Sequence, residues 1–203
     1  MIMCSYKKIA VTNRKIFFDS HAATCRYGDY DAYVEYLVKL ADAADMIILR
    51  EKDLGRQEYE ELAKKLFVKK AERKEGKGQI VLHTYISAAV HTGCRRIHLP
   101  LGVFRENLQQ LRNFELVGVS THSLEEALYA QEQGADYITA SHIFVTDCKK
   151  GLEPKGLNFL KNICENVRIP VYALGGINGQ NETDVIRAGA SGACRMSDYM
   201  KMW

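Results

Sequence analysis

Four histidines in this sequence close or follow short apolar runs, where an imidazole could move a proton. His142 follows Tyr137-Ile138-Thr139-Ala140-Ser141, and His83, His98 and His122 stand at similar places. An unperturbed imidazole titrates near neutral pH, so it can take a proton in one step and return it in the next. His142 is the candidate general acid/base; His83, His98 and His122 are candidate substrate contacts. A purely structural histidine is the alternative at each place. None has the His-x-His or His-Glu-x-x-His spacing of a metal site, so no metal ligand set is expected. A carboxylate pair is not expected either, because the run ends carry Arg, Lys, His, Ser and Thr.

Other run ends could hold an anion. Gly175-Gly176-Ile177-Asn178 is expected to open onto a helix. Glycines let backbone N–H groups approach a phosphate closely, and a helix N-terminus favours negative charge. A plain turn is the alternative. Ser197 adds a hydroxyl after the last run. Arg50 and Lys52 end another, and strand alternation puts both on one face with Glu51 turned away. Their alternative is an ordinary ion pair with Glu51 or Asp53. Lys149, in the polar stretch 146–156, could close over the same anion.

Strands that would position these groups are expected at 9–12, 46–50, 79–83, 96–99, 116–120, 137–140, 170–174 and 193–196. Helix-period segments separate them, such as Tyr59, Leu62, Ala63 and Leu66 at i, i+3, i+4, i+7. Ser123-x-x-Glu126 reads as a capping box. Gly76 and Gly78 are helix breakers before the third strand. The stretch 17–30 is expected to be an irregular insertion. The alternation predicts an α/β fold, a (β/α)₈ TIM barrel formed by one domain over 1–203 and lacking a full C-terminal eighth helix. An open doubly wound sheet is the second choice. In such barrels the working groups lie beyond the C-terminal ends of the strands.

Composition narrows the partners. The chain has 203 residues, with 28 Lys plus Arg against 25 Asp plus Glu, a net charge of +3. That excess is too small to point to nucleic acid or a membrane surface. The basic run Lys64, Lys65, Lys69, Lys70, Arg73, Lys74 and Lys77 reads as a solvated helix face. No apolar run approaches the ~20 residues of a membrane span, and no signal peptide is expected. Six scattered cysteines without a Cys-x-x-Cys pair fit a reducing cytoplasm. Met200, Met202 and Trp203 are expected to cover the barrel wall or to join a partner, so a homo-oligomer is expected.

Several motifs carry a resemblance. They are Ile48-Leu49-Arg50-Glu51-Lys52-Asp53, His122-Ser123-Leu124-Glu125-Glu126-Ala127, Gly134-Ala135-Asp136-Tyr137, 169–177 and Ala188-Gly189-Ala190-Ser191-Gly192. Together, over 9–197, they resemble the thiamine phosphate synthase/TenI superfamily, which implies the same barrel. A synthase carries Asn-Asp after strand three and Gly-Gln-x-Asp after strand four, both linked to magnesium; here those places read His83-Thr84 and 99–104. The synthase glutamine before Arg-x-Lys is Ile48, and the second threonine of its sixth loop is Cys148, although Thr146 and Lys149 match. The stretch 142–151 and Leu99-Pro100-x-Gly102-x-Phe104 instead resemble TenI-type thiazole tautomerases. The resemblance implies an isomerase that moves a proton on a thiazole phosphate carboxylate through His142, with no cofactor. It implies substrate binding by Arg50, Lys52, Thr146, Lys149, Gly175, Gly176 and Ser197. The alternatives are a transferase, thiamine phosphate synthase, joining thiazole phosphate to hydroxymethylpyrimidine pyrophosphate, or a non-catalytic thiamine-linked binding or regulatory protein.

Overall fold

The strand residues of this chain are buried nearly end to end, because helices cover a parallel sheet and leave no face for water. Met46–Leu49 and Tyr137–Ser141 are buried at every position. The structure, a computed structural model, describes residues 6–73, 76–149 and 151–203, except the side chain of Cys148. Lys74 of the basic run, Lys150, and the first five residues with Cys4 lie outside the described residues. Eight parallel strands close into a barrel in the order β1 to β8. They are β1 Lys7–Val11, β2 Met46–Leu49, β3 Gln79–His83, β4 Arg96–Pro100, β5 Leu116–Thr121, β6 Tyr137–Ser141, β7 Val171–Leu174 and β8 Gly192–Arg195. This is the (β/α)₈ class that the alternation predicts.

The chain falls into two compact units, 9–97 with 196–203, and 1–8 with 98–195. In the first, β1 and β3 flank β2 in register, with Ile9 opposite Met46 and Met46 opposite Gln79. Three helices cover this sheet: α1 Arg14–Ser20, α2 Tyr30–Leu40 and α3 Arg56–Glu72. Tyr33, Leu37 and Leu40 of α2, and Tyr59, Leu62 and Leu66 of α3, are all at most 2% exposed. Burying each of these side chains stabilises the fold by roughly 1.5–3 kcal/mol. The presumed irregular stretch 17–30 is in part helical. Asn13 caps α1 by accepting from the Lys15 and Ile16 N–H groups, and Phe17 and Phe18 are buried. A cap of this kind is worth about 1 kcal/mol, enough to start a short helix that the hydrophobic pattern alone does not reveal. A short helix α4, Ile86–His91, follows β3.

In the second unit β5 pairs with β6, β6 with β7 and β7 with β8, with Gly118 opposite Tyr137 and Tyr172 opposite Gly192. A Cβ on Gly118 would stand 2.1 Å from the Tyr137 ring, so only glycine admits that ring. The expected fourth helix is two: α5 Leu101–Glu106 and α6 Leu108–Leu111, broken at Asn107. Then come α7 Leu124–Glu132, α8 Gly156–Asn166 and α9 Glu182–Arg187. Ser123 caps α7 through the Glu126 N–H, and the return bond of the expected capping box goes from the His122 N–H, not the Ser123 N–H, to the Glu126 carboxylate. After β8 stands a four-residue helix, α10 Ser197–Met200, which belongs to the first unit. Its Met200 is fully buried. Trp203 lies half exposed, 44%, against Tyr36, with the Lys39 ammonium 4.1 Å from its ring centroid. Among the described residues no helix is long and apolar enough to cross a membrane.

Candidate active site

His142 stands one residue beyond β6 and is 4% exposed. Its Nε2 lies 3.4 Å from the Leu152 carbonyl oxygen. A carbonyl only accepts, so Nε2 carries the hydrogen and Nδ1 keeps its lone pair. That Nδ1 is buried and has no hydrogen-bond partner among the described residues. A buried polar atom without a partner is costly and rare in folded proteins, and it marks a place where a substrate atom would be welcome.

The main chain around His142 is fixed on both sides. The Lys155 N–H donates to the His142 carbonyl at 3.0 Å, and the Ile143 N–H donates to Leu174 O at 3.1 Å. Gly175 and Gly176 follow β7 with φ of +104° and +67°. A Cβ on Gly175 would stand 2.3 Å from the His142 Cβ; one on Gly176 would stand 2.4 Å from Val145 O and 2.8 Å from the Phe144 Cβ. The glycine pair therefore lets the β6 loop pack against the β7 loop and seats His142. The pair does not open directly onto a helix, contrary to the expectation from the sequence. α9 begins only at Glu182, and Asn178 and Asn181 organise the intervening turn. Asn181 Nδ2 donates to Gly176 O and its Oδ1 accepts from the Asn178 N–H. Lys149 and Thr146 lie on the same β6 loop, where the Lys149 N–H donates to Thr146 O to form one 3₁₀ turn, Asp147–Lys149.

The other two histidines of this unit differ from each other. His98 is 2% exposed, with Nδ1 3.1 Å from the Tyr137 hydroxyl and Nε2 2.8 Å from the Ser120 hydroxyl. Both ring nitrogens are engaged beneath the end of β5. His122 is exposed, and its Nδ1 lies 3.0 Å from Ser141 O. Burial holds the Tyr137 phenol far above its usual range, so it stays neutral in this network.

In the first unit the strand ends form a second set of bonds. Glu51, 3% exposed, accepts from the Thr12 hydroxyl, from the Tyr33 hydroxyl at 2.7 Å and from the Arg14 N–H at 2.7 Å. Burial raises the Glu51 carboxyl pKa above the usual carboxylate range, and these donors oppose that shift. Thr12 in turn accepts from the Arg50 N–H at 2.9 Å. The cation that pairs most closely with Asp53 is Arg14, at 2.8 Å. β2 ends at Leu49, so Arg50 and Lys52 stand beyond the strand, half-exposed and exposed. His83 is buried with Nδ1 2.6 Å from the Thr84 hydroxyl, and its N–H donates to Tyr59, whose hydroxyl donates to Leu49 O. Ser197 is exposed at the start of α10. A cavity of about 370 Å³ lies at the starting ends of β3 and β4, beside Lys70, Lys77, Gln79 and Arg96, and brings none of the predicted residues together.

Sequence reasoning missed the Leu152 carbonyl, a main-chain atom ten residues away that no residue type announces. It also missed Tyr137, although the glycine at 118 inside a strand signals a close approach.

Comparison with known proteins places these features in a family. A family model described as thiamine monophosphate synthase matches residues 22–198. A relative from Aquifex aeolicus (strain VF5), named putative thiamine-phosphate synthase 2, is 36% identical over 194 residues, 95% of this chain and 96% of its own. The thiamine-phosphate synthase of Clostridium acetobutylicum is 31% identical over 200 residues, 96% of this chain and 87% of its own. A solved structure, thiamine phosphate pyrophosphorylase from Pyrococcus furiosus, superposes with a TM-score of 0.72 at 27% identity, covering 96% of this chain and 87% of that one. The chain belongs to the thiamine phosphate synthase/TenI family.

Proposed function

We propose that this protein is a thiazole tautomerase in thiamine biosynthesis, with His142 as its general acid/base. The observation that carries the reading is the buried His142 ring, with Nε2–H held by Leu152 O and the Nδ1 lone pair unpartnered. Nδ1 takes a proton from the ring of a thiazole phosphate carboxylate, and the imidazolium so formed returns a proton elsewhere on the conjugated system. One proton leaves and one is returned, so the step needs no redox partner. Gly175, Gly176, Thr146 and Lys149 of the same unit are proposed to hold the substrate phosphate. Arg50, Lys52 and Ser197 are proposed anion-binding groups in their own unit. His83 and His98 are proposed substrate contacts, and the protein is proposed to be a cytoplasmic homo-oligomer.

The names of the relatives favour a second reading, thiamine phosphate synthase, a transferase. That chemistry implies magnesium held by carboxylates after β3 and β4. Here β3 runs into His83-Thr84, with the His83 ring bonded to Thr84, and β4 runs through Leu99-Pro100 into α5. Those donors do not fit a magnesium ion.

The test is a tautomerase assay on purified protein, with and without chelator, beside His142→Gln. General acid–base help is worth about 10²–10⁴-fold, so His142→Gln should lose about that much rate and keep its affinity for a thiazole phosphate. A full rate in His142→Gln removes the role given to this residue. Turnover only with magnesium and a pyrimidine pyrophosphate replaces the tautomerase by the synthase.

A further inference from the structure

We propose that His122 is a positioning residue for His142: its imidazole grips the peptide that joins Ser141 to His142 and thereby aims the His142 ring. The proposal rests on His142 as the proton carrier. Nδ1 of His122 lies 3.0 Å from Ser141 O, and a carbonyl can only accept, so Nδ1 carries the hydrogen and donates it. The Ser141 hydroxyl stands 3.1 Å from the same nitrogen and shares the bond.

The His122 main chain is a firm anchor. Its N–H donates to the Glu126 carboxylate at 2.5 Å, while Ser123 Oγ accepts from the Glu126 N–H at 3.1 Å. These two bonds tie residue 122 to the first turn of α7. The peptide before His142 is therefore held by His122, and the peptide after it by the Lys155 N–H. Of these two ties only the first is made by a side chain, so a side-chain truncation removes it and leaves the main chain unchanged. The His122 ring is exposed, whereas Ser141 and His142 are 4% exposed. Replacing His122 thus opens no cavity in the core.

A 1 Å error in placing a reacting group can cost about 10²-fold, and a loosened but still attached ring should lose about tenfold in kcat. The experiment compares His122→Ala, His122→Asn and His122→Gln. An asparagine amide nitrogen falls where the imidazole Nδ1 stands, and a glutamine one falls beyond it. The first readout is the ring ¹⁵N signals of His142 by NMR, without substrate. Wild type and His122→Asn should show one Nε2–H tautomer, and His122→Ala and His122→Gln should show altered signals. The second readout is turnover: kcat should fall about tenfold in Ala and Gln at unchanged KM and recover in Asn. Identical His142 signals in wild type, His122→Ala and His122→Gln overturn the proposal. Should His122→Ala fail to fold, the Asn and Gln pair decides alone. Altered signals in a protein with no tautomerase turnover support the positioning role and count against the tautomerase reading instead.

Discussion

Gly175→Ala tests the seating of His142 most directly. The added Cβ would stand 2.3 Å from the His142 Cβ and 2.8 Å from its Cα. Carbon atoms in ordinary contact lie about 3.5–4.0 Å apart, so the β6 loop must move by more than about 1 Å. Overpacking of this kind costs about 1–3 kcal/mol. The φ of +104° adds left-handed strain of roughly 1–2 kcal/mol for any residue with a Cβ. The sum is about 2–5 kcal/mol, or about 4–20 °C of Tm at about 2–4 °C per kcal/mol for a chain this long. Displacing His142 by that much should also cost about 10²-fold in tautomerase rate. Gly134→Ala is the control, because Gly134 has φ +88° but nothing within 4 Å of the added Cβ. It should show the strain alone, about 1–2 kcal/mol, at full rate. Thermal denaturation followed by circular dichroism reads the first effect and the assay reads the second. Equal Tm losses in the two variants, with full rate in both, would refute the close approach of Gly175 to His142.

Other outcomes follow from features of each unit. Glu51 has a raised pKa, so it contributes stability below its unfolded pKa that is lost as pH rises through the folded value. Urea unfolding of wild type should therefore weaken, relative to Glu51→Gln, between those two pKa values; parallel pH curves would contradict the raised pKa. Gly118→Ala should lose about 1–3 kcal/mol by calorimetry because of the Tyr137 ring, and an unchanged Tm would exclude that contact. In sedimentation the protein should run as a homo-oligomer at micromolar concentration; a monomer with a mobile Trp203 removes that expectation.

The alternation of apolar runs and helix-period segments made the barrel legible, because a parallel sheet buries its strands on both faces and leaves long hydrophobic words in the sequence. Gly93, Gly134 and Gly189 marked helix ends for the same local reason. α1 was hidden because its start depends on one side chain, Asn13, bonding two N–H groups. His142 was legible by its place after β6. Its tautomer was not, because the deciding partner is the Leu152 carbonyl across a loop. A double glycine announces freedom of φ, but only the fold shows that the space of the missing Cβ belongs to His142 and Phe144.

The bonds that converge on Glu51 also govern how the first unit opens. Three donors from three segments, Thr12, Arg14 and Tyr33, end on one buried carboxylate. Peeling away α1 or α2 alone would leave that charge short of a donor inside the protein, at a cost of about 1–3 kcal/mol or more. The segments are therefore bound to unfasten together, as one cooperative patch. In native-state hydrogen exchange the amides of Arg14 and Arg50, both bonded within this cluster, should share a single opening free energy, well above that of the exposed turn at 21–29.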